Sequence, residues 1–325
     1  MAPSRRLAAS GFDRGGWESA RVAIDSGGRA TVYSGSMSQG HGHATVLAQI
    51  AADALQMPPE NIDVVQGDTK QVQAGHGTFN SRSMPVGGSG VKLCAGRIVE
   101  KAKKIAAEMM EVAAEDLSYQ GGSFVVPGTE IAPLTFAKVA RMAYLGHVLP
   151  DGMEPALDET LFYDPVGMGA PSGVHIAYVE VDPDTGMVEI RDYVAVDDAG
   201  TIINPLLASG QIHGGVVQGI GQALYEEVCY DRETCQLLTG SLLDYALPHA
   251  DLLPGIRSQF QETPSPTNPL GVKGIGESGS IGAPPTIVHA VLDALAPFGI
   301  AHLDMPLTPQ KIWAAIQSTR LEKSR

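Results

Sequence analysis

The chain has 325 residues, room for about two domains at ~150 residues each, and its 44% hydrophobic against 18% charged residues exclude a disordered chain. Lys and Arg number 22 against 36 Asp and Glu, a formal net charge of −14 with no basic run, which argues against nucleic acid as a partner. Three cysteines, Cys94, Cys229 and Cys235, exclude a disulfide framework or a four-thiolate cluster built from this chain, and they fit a reducing compartment.

The N-terminal MAPSRRLAASGFDRGG lacks an apolar core of the secretory type, and residues 1–18 read as a flexible lead-in. Residues 20–35 read as two strands around an SGG turn, and 43–57 as a helix stopped by Pro58 and Pro59. IDVVQG (62–67) reads as a strand, about 90–114 as a long helix, 117–126 as a hairpin across Gly121-Gly122, and 133–144 as a helix. The Pro- and Gly-rich stretch 146–172 reads as a linker between a first lobe at 19–145 and a second at 173–325. In the second lobe, 174–181 and 187–196 form a hairpin across DPDTG, followed by a helix over about 205–225. An irregular SLLDYALPHADLLP segment comes next, then a dense Gly/Pro/Ser loop at 264–285 and a helix over 286–295. The last helix spans 308–317 and is opened by Thr308-Pro309. The fold class is mixed α and β (α+β), in two lobes. No apolar run approaches the ~18–20 residues of a membrane span, so the expectation is a cytoplasmic protein without one.

Three glycine-rich segments carry the chemistry. Gln39-Gly40-His41-Gly42-His43 runs straight into a helix, where backbone N–H groups can converge on an anion; the alternative is a tight strand-to-helix turn. Thr78-Phe79-Asn80-Ser81-Arg82-Ser83 offers two serine hydroxyls and a guanidinium, a constellation suited to phosphate or equally to a solvated loop. Gly271-Val272-Lys273-Gly274-Ile275-Gly276-Glu277-Ser278-Gly279 contains a GxGxxG. No strand precedes it and no acidic residue follows at the required distance, so it is not a dinucleotide fingerprint. It leaves one carboxylate, Glu277, in a loop of little bulk. That residue is a general-base candidate, or else a helix-capping or solvent-facing glutamate. The histidines have no metal-ligand spacing, so no protein-ligated metal is expected.

Together the segments QGHGHATVLAQIAAD, GDTKQVQAGHGTFNSRS, VDDAGTIINPLLASGQIHGGVVQGIGQALYEE, GSLLDYALPHADLLP and NPLGVKGIGESGSIGAPP resemble, in order, the C-terminal half of the molybdopterin-binding large subunit of the xanthine oxidase family of molybdenum hydroxylases. The resemblance runs from about Gly11 to the C-terminus and implies the two-lobed fold of the xanthine oxidase and aldehyde oxidoreductase large subunits. It implies a molybdenum held by a pterin dithiolene, with cofactor-binding roles for Gln39, Gly40, His41, Gly42, His43, Thr78, Phe79, Asn80, Ser81, Arg82, Ser83, Gln211, Gly271, Val272, Lys273 and Gly274. The SRS form resembles members that use molybdopterin cytosine dinucleotide, and Glu277 falls on the family's catalytic glutamate. The sequence departs from the family's QGQGH in having His41 at the second Gln. The resemblance further implies hydroxylation of an N-heterocycle or aldehyde-type carbon with oxygen from water. The implied partners are an N-terminal-half molybdopterin subunit, an iron–sulfur subunit and an FAD subunit, which together carry the clusters and flavin, as in the split-subunit nicotinate dehydrogenase. The competing expectation is a non-catalytic cofactor-binding or assembly subunit with the same fold.

Overall fold

A computed structural model describes residues 16–145, 149–167, 169–253 and 255–323. The chain divides into two compact units. The first comprises Met1–Ala170, Gly200–Asn204 and Pro264–Gly274, and the second Pro171–Ala199, Pro205–Thr263 and Ile275–Arg325.

In the first unit, β1 (Glu18–Ile24) and β2 (Ala30–Ser34) form an antiparallel hairpin. Helix α1 (His43–Leu55) then carries the chain to β3 (Ile62–Gln66), which pairs parallel to β2. Helix α2 (Ser89–Met110) buries Val91, Cys94, Ala95, Ile98, Ala102 and Ile105, the one-sided spacing of a helix laid on a sheet. A short sheet of β4 (Ser118–Gln120), β5 (Ser123–Val125) and β6 (Leu134–Thr135) leads into α3 (Phe136–Met142), capped by the Thr135 hydroxyl.

The stretch expected as a linker contains a strand. β7 (Leu157–Tyr163) pairs antiparallel along the whole of β1, completing the sheet order β3-β2-β1-β7. Its inward residue Leu157 is fully buried, and Arg21 on β1 donates two hydrogen bonds to Asp158. Of the expected lead-in, residues 1–15 lie outside the described residues, while Glu18 already opens β1.

The second unit repeats the topology. β8 (Ser172–Val181) and β9 (Val188–Asp198) form an antiparallel hairpin, and α4 (Pro205–Leu224) leads to β10 (Ile256–Phe260), parallel to β9. Helix α5 (Ser278–Leu295) follows, as α2 follows β3, and α6 (Pro309–Lys323) ends the chain. The core is Tyr193, Ile212, Val216, Ile220, Ile287, Val291, Leu295, Ile312 and Ile316.

Two expectations are corrected in α5. It starts at Ser278 rather than 286 and contains Pro284 and Pro285. Prolines inside a helix remove hydrogen bonds; here the helix that contains them packs closely on α4 through small residues. A Cβ on Gly215 of α4 would lie 2.8 Å from Ser280 N, one on Gly219 2.6 Å from Ala283 Cβ, and one on Gly279 2.6 Å from Ile212 O. Because the helix begins early, Ser278–Phe298 is long and apolar enough by length and composition to cross a membrane. Its Ala283, Ile287, Val291 and Leu295 are nevertheless packed in the core of this unit.

Candidate functional site

The common topology explains where the glycine segments lie. In the first unit, residues 35–42 join β2 to α1 and residues 67–82 precede the turn into α2. The equivalent connections of the second motif are 199–204 and 261–277. Loops at these ends of parallel strands are the usual ligand-binding places of such sheets. Most of the later pair, Gly200–Asn204 and Pro264–Gly274, packs as part of the first unit.

Thr78 stitches the first two loops together. Its hydroxyl donates to Met37 O and accepts from Met37 N–H, the Ser83 hydroxyl donates to it, and Gln39 Nε2 donates to Thr78 O. Gly40 and Gly42 have φ of 90° and 80°, conformations that suit glycine. Gly42 is the N-cap of α1, which therefore starts without a side-chain cap. Asn80 and Ser81 are consecutive left-handed non-glycine residues, φ 52° and 51°, a backbone that must be held in place by its surroundings.

The holding group is Arg82. Its guanidinium pairs with Glu18, Nη1 to Oε2 3.0 Å, and donates to the carbonyls of Gly16 and Trp17 at 2.8 and 2.7 Å and of Gly77 at 3.3 Å. Both side chains are withdrawn from water, 2% and 0% exposed, and Phe79 lies across the guanidinium at 5.0 Å. The expectation that the Arg82 side chain faces a phosphate is corrected: Glu18 and three backbone carbonyls take its terminal nitrogens, and Arg82 fixes the loop from inside. Glu18 has no counterpart in the sequence reading. Only its burial on β1, with Ser19 N–H and His76 N–H donating to its other oxygen at 3.2 Å each, marks it.

The third loop is held to the second by backbone contact. A Cβ at Gly274 would sit 2.3 Å from Ser81 O, so only glycine fits. Asn268 clasps the Val272 peptide, donating to its carbonyl at 2.8 Å and accepting from its N–H at 3.2 Å. Gly271, at φ 70°, presents its carbonyl to both Thr201 N–H and Ser265 N–H, 3.0 and 2.9 Å. Lys92 Nζ donates to Pro269 O at 2.9 Å, and Asn204 Nδ2 to Gln49 Oε1 at 3.0 Å. Thr201, Asn204, Ser265 and Asn268 are further supports absent from the sequence reading. Within the first unit the structure therefore brings together 39–43, 78–83 and 271–274. Lys273 is half-buried in the third of these loops.

The His41 and His43 rings lie 3.7 Å apart between centroids, tilted by 38°. Burial, and then the neighbouring His41, push the His43 imidazole down to about 4; burial also lowers His41. Both rings are therefore neutral near pH 7. His41 Nε2 and His43 Nδ1 are buried with no hydrogen-bond partner among the described residues. Unpaired buried ring nitrogens beside an uncapped helix start suit a polar, anion-bearing ligand. Among the described residues no three His, Cys, Asp or Glu side chains gather as a metal-ligand set.

Gln211 and Glu277 belong to the second unit. Gln211 is half-buried on α4. Glu277 is exposed at the N-cap position of α5. Its carbonyl accepts from Ile281 N–H and the Ser280 hydroxyl, each at 3.0 Å, while its carboxylate does not cap the helix.

Residues 1–254 match the family described as a molybdopterin cofactor-binding domain. The chain is 40% identical over 307 residues to the carbon monoxide dehydrogenase large chain of Hydrogenophaga pseudoflava, covering 94% of this chain and 38% of that one. It is 42% identical over 296 residues to the nicotine 6-hydroxylase large subunit of Paenarthrobacter nicotinovorans, covering 91% and 36%. The crystal structure of quinoline 2-oxidoreductase from Pseudomonas putida 86 superposes with a TM-score of 0.87 at 40% identity, covering 93% of this chain and 38% of that chain. The chain thus spans little more than a third of the length of these relatives.

Proposed function

We propose, because this chain belongs to the molybdopterin-binding family of xanthine oxidase-type molybdenum hydroxylases, that it supplies the cofactor grip and the catalytic base of a multi-subunit hydroxylase. The observation that carries this reading is the convergence of 39–43, 78–83 and 271–274 in one unit, with buried ring nitrogens of His41 and His43 left unpaired. When bound, the molybdenum–pterin group supplies two-electron redox chemistry and activates water as a Lewis acid.

The chain's own residues do the rest. His41 and His43, held neutral by burial, offer ring nitrogens to the cofactor without adding charge. His41 takes the place of the family's glutamine as a hydrogen-bonding group. The backbone and hydroxyls of Ser81 and Ser83, fixed from behind by Arg82, and the backbone of 271–274 line the same grip. We assign Gln211 as a further cofactor contact. Glu277 is the base that takes the proton from water during hydroxylation. The cytosine dinucleotide form of the pterin is the proposed cofactor, supported by the Ser81-Arg82-Ser83 sequence and the carbon monoxide dehydrogenase relative. Relatives named for nicotine and quinoline support an N-heterocyclic carbon as substrate, with an aldehyde-type carbon as the neighbouring chemistry. The relatives' names, a large chain and a large subunit, support partner subunits, and we include among them one carrying the rest of the molybdopterin site. Iron–sulfur and FAD subunits, and a cytoplasmic location, complete the proposal.

The test is the protein purified from a molybdopterin-producing host with its partners. Molybdenum with one equivalent of CMP released on hydrolysis, and dye reduction driven by an N-heterocycle or aldehyde, is the expected result. Glu277→Gln should lower turnover per molybdenum by ~10²–10⁴-fold, the scale of a lost general base, at unchanged molybdenum content. Turnover within a few-fold of wild type would remove Glu277 from the chemistry, and a chain that never acquires molybdenum or pterin would overturn the cofactor grip.

A further inference from the structure

A buried polar chain lies under α5, meeting the helix at Gly282 and Thr286. His175 on β8 faces Asp197 on β9, with its Nε2 3.3 Å from Oδ2, and the two side chains are 3% and 4% exposed. The carboxylate can only accept, so Nε2–H donates to it. His175 Nδ1 is 2.9 Å from the Tyr193 hydroxyl, and the fully buried Tyr193 reaches Thr286 of α5. Thr286 in turn donates to Gly282 O at 2.8 Å. Gly282 rests on the histidine ring; a Cβ there would lie 2.6 Å from His175 Nδ1. On the opposite side, a Cβ at Gly173 would lie 2.6 Å from Asp197 Oδ1, so backbone closes over both ends.

This is an unusual filling for a sheet–helix interface. Farther along the same interface the filling is apolar: Ala177, Val179 and Val181 pack against the core cluster that contains Ile287, Val291 and Leu295. Apolar contacts tolerate sliding, whereas hydrogen bonds have direction and set a helix at one height and rotation. The polar section sits at the end of α5 that starts from Glu277, whose carbonyl is tied into the first turn by Ile281 N–H.

We infer that the Asp197–His175–Tyr193 chain is the positioning device for Glu277. It ties α5 to the sheet at Gly282 and Thr286 and so fixes the direction of the carboxylate at the start of the helix. The inference rests on the reading of Glu277 as the base. Misplacing a catalytic group by about 1 Å can cost ~10²-fold, so the network earns its desolvation cost in geometry rather than in stability.

The experiment uses the assembled complex with His175→Gln, Tyr193→Phe, Glu277→Gln and the double variant His175→Gln/Glu277→Gln. His175→Gln should lower kcat per molybdenum ~10–100-fold with KM little changed and molybdenum content intact. Tyr193→Phe, which removes one hydroxyl and keeps the ring, should lower it several-fold should the histidine variant fail to assemble. A residue acting only through Glu277 loses its effect when Glu277 is gone, so His175→Gln should change the Glu277→Gln enzyme less than about two-fold. Amide hydrogen exchange over residues 278–286 should rise in the His175 and Tyr193 variants, while the β1–β2 hairpin stays as in wild type. Undiminished loss on the Glu277→Gln background, or unchanged exchange over 278–286, would overturn the inference. A Glu277→Gln enzyme as fast as wild type would instead overturn the assignment of the base, and the exchange measurement would still decide whether the network holds α5.

Discussion

Arg82 and Glu18 form an ion pair at 3.0 Å across 64 residues of sequence, with neither side chain open to water. The pair joins the loop at 78–83 to the first strand of the sheet, and the guanidinium's other bonds go to main-chain carbonyls. Arg82→Met would leave a buried carboxylate without its counter-charge, which typically costs ~3–5 kcal/mol. Arg82→Lys keeps the charge but cannot reach four acceptors at once. Urea denaturation should show a large loss of stability for Met and a smaller one for Lys, with cofactor content falling in step. An Arg82→Met protein with wild-type unfolding and an empty cofactor site would mean that the guanidinium serves the ligand and not the loop.

Gly274→Ala tests the contact between the second and third loops. The new Cβ would meet Ser81 O at 2.3 Å, a backbone atom that cannot rotate away. The expected outcome is displacement of the left-handed Asn80–Ser81 turn and loss of bound pterin. Gly77→Ala is not a suitable control, since its φ of 87° is itself strained for alanine. Gly96→Ala, on α2 with nothing within 4 Å, serves instead and should stabilise the protein by ~0.5–1 kcal/mol. Equal pterin content in the Gly274→Ala and Gly96→Ala proteins would count against the contact.

Helix α4 offers an internal contrast. Gly214 has open space around its missing Cβ, whereas Gly219 would place one 2.6 Å from Ala283 Cβ and 2.8 Å from Pro284 Cδ. Gly214→Ala should raise stability by up to ~1 kcal/mol through helix propensity. Gly219→Ala should lower it by ~1–3 kcal/mol, because the two helices must move apart. Thermal or urea unfolding of the two single variants reads the difference directly. Like-signed changes would show that Gly219 of α4 is not packed tightly against Ala283 and Pro284 of α5.

His43 predicts an acid dependence of stability. Its ordinary value of 6.5 falls to about 4 on folding, through burial first and the adjacent His41 second. Between these values the unfolded chain binds a proton that the folded chain refuses. The contribution is therefore complete above pH 6.5, declines as the pH falls towards 4 and is level below that. At ~1.4 kcal/mol per unit the loss is bounded at about 3.5 kcal/mol. Urea midpoints at pH 7 and 4.5 should show wild type losing more than His43→Gln, whose side chain does not titrate. Parallel losses in both proteins would show that His43 is not held neutral by the fold.

Much of this protein is legible in its sequence. Period and punctuation place β1, β2, α1, β3, α2 and the β8–β9 hairpin within a few residues, because strand alternation, helical spacing and turn residues act over neighbours in the chain. The glycine segments at 39–43, 78–83 and 271–277 announce themselves for the same local reason. Tertiary structure alone decided the rest. Leu157–Tyr163 reads as linker until β1 supplies its hydrogen-bonding partner. Ser278 opens a helix across two prolines only because Gly215 and Gly219 let α4 come close enough to hold it. Arg82 looks like a phosphate ligand until Glu18 claims it, and His175 looks like a stray histidine until Asp197 and Tyr193 close around it. Each of these outcomes is set by a partner brought near in space. Local rules carry no record of such a partner, because the free energy of a buried charge or a close helix crossing depends on what stands opposite, not on what stands next in the chain.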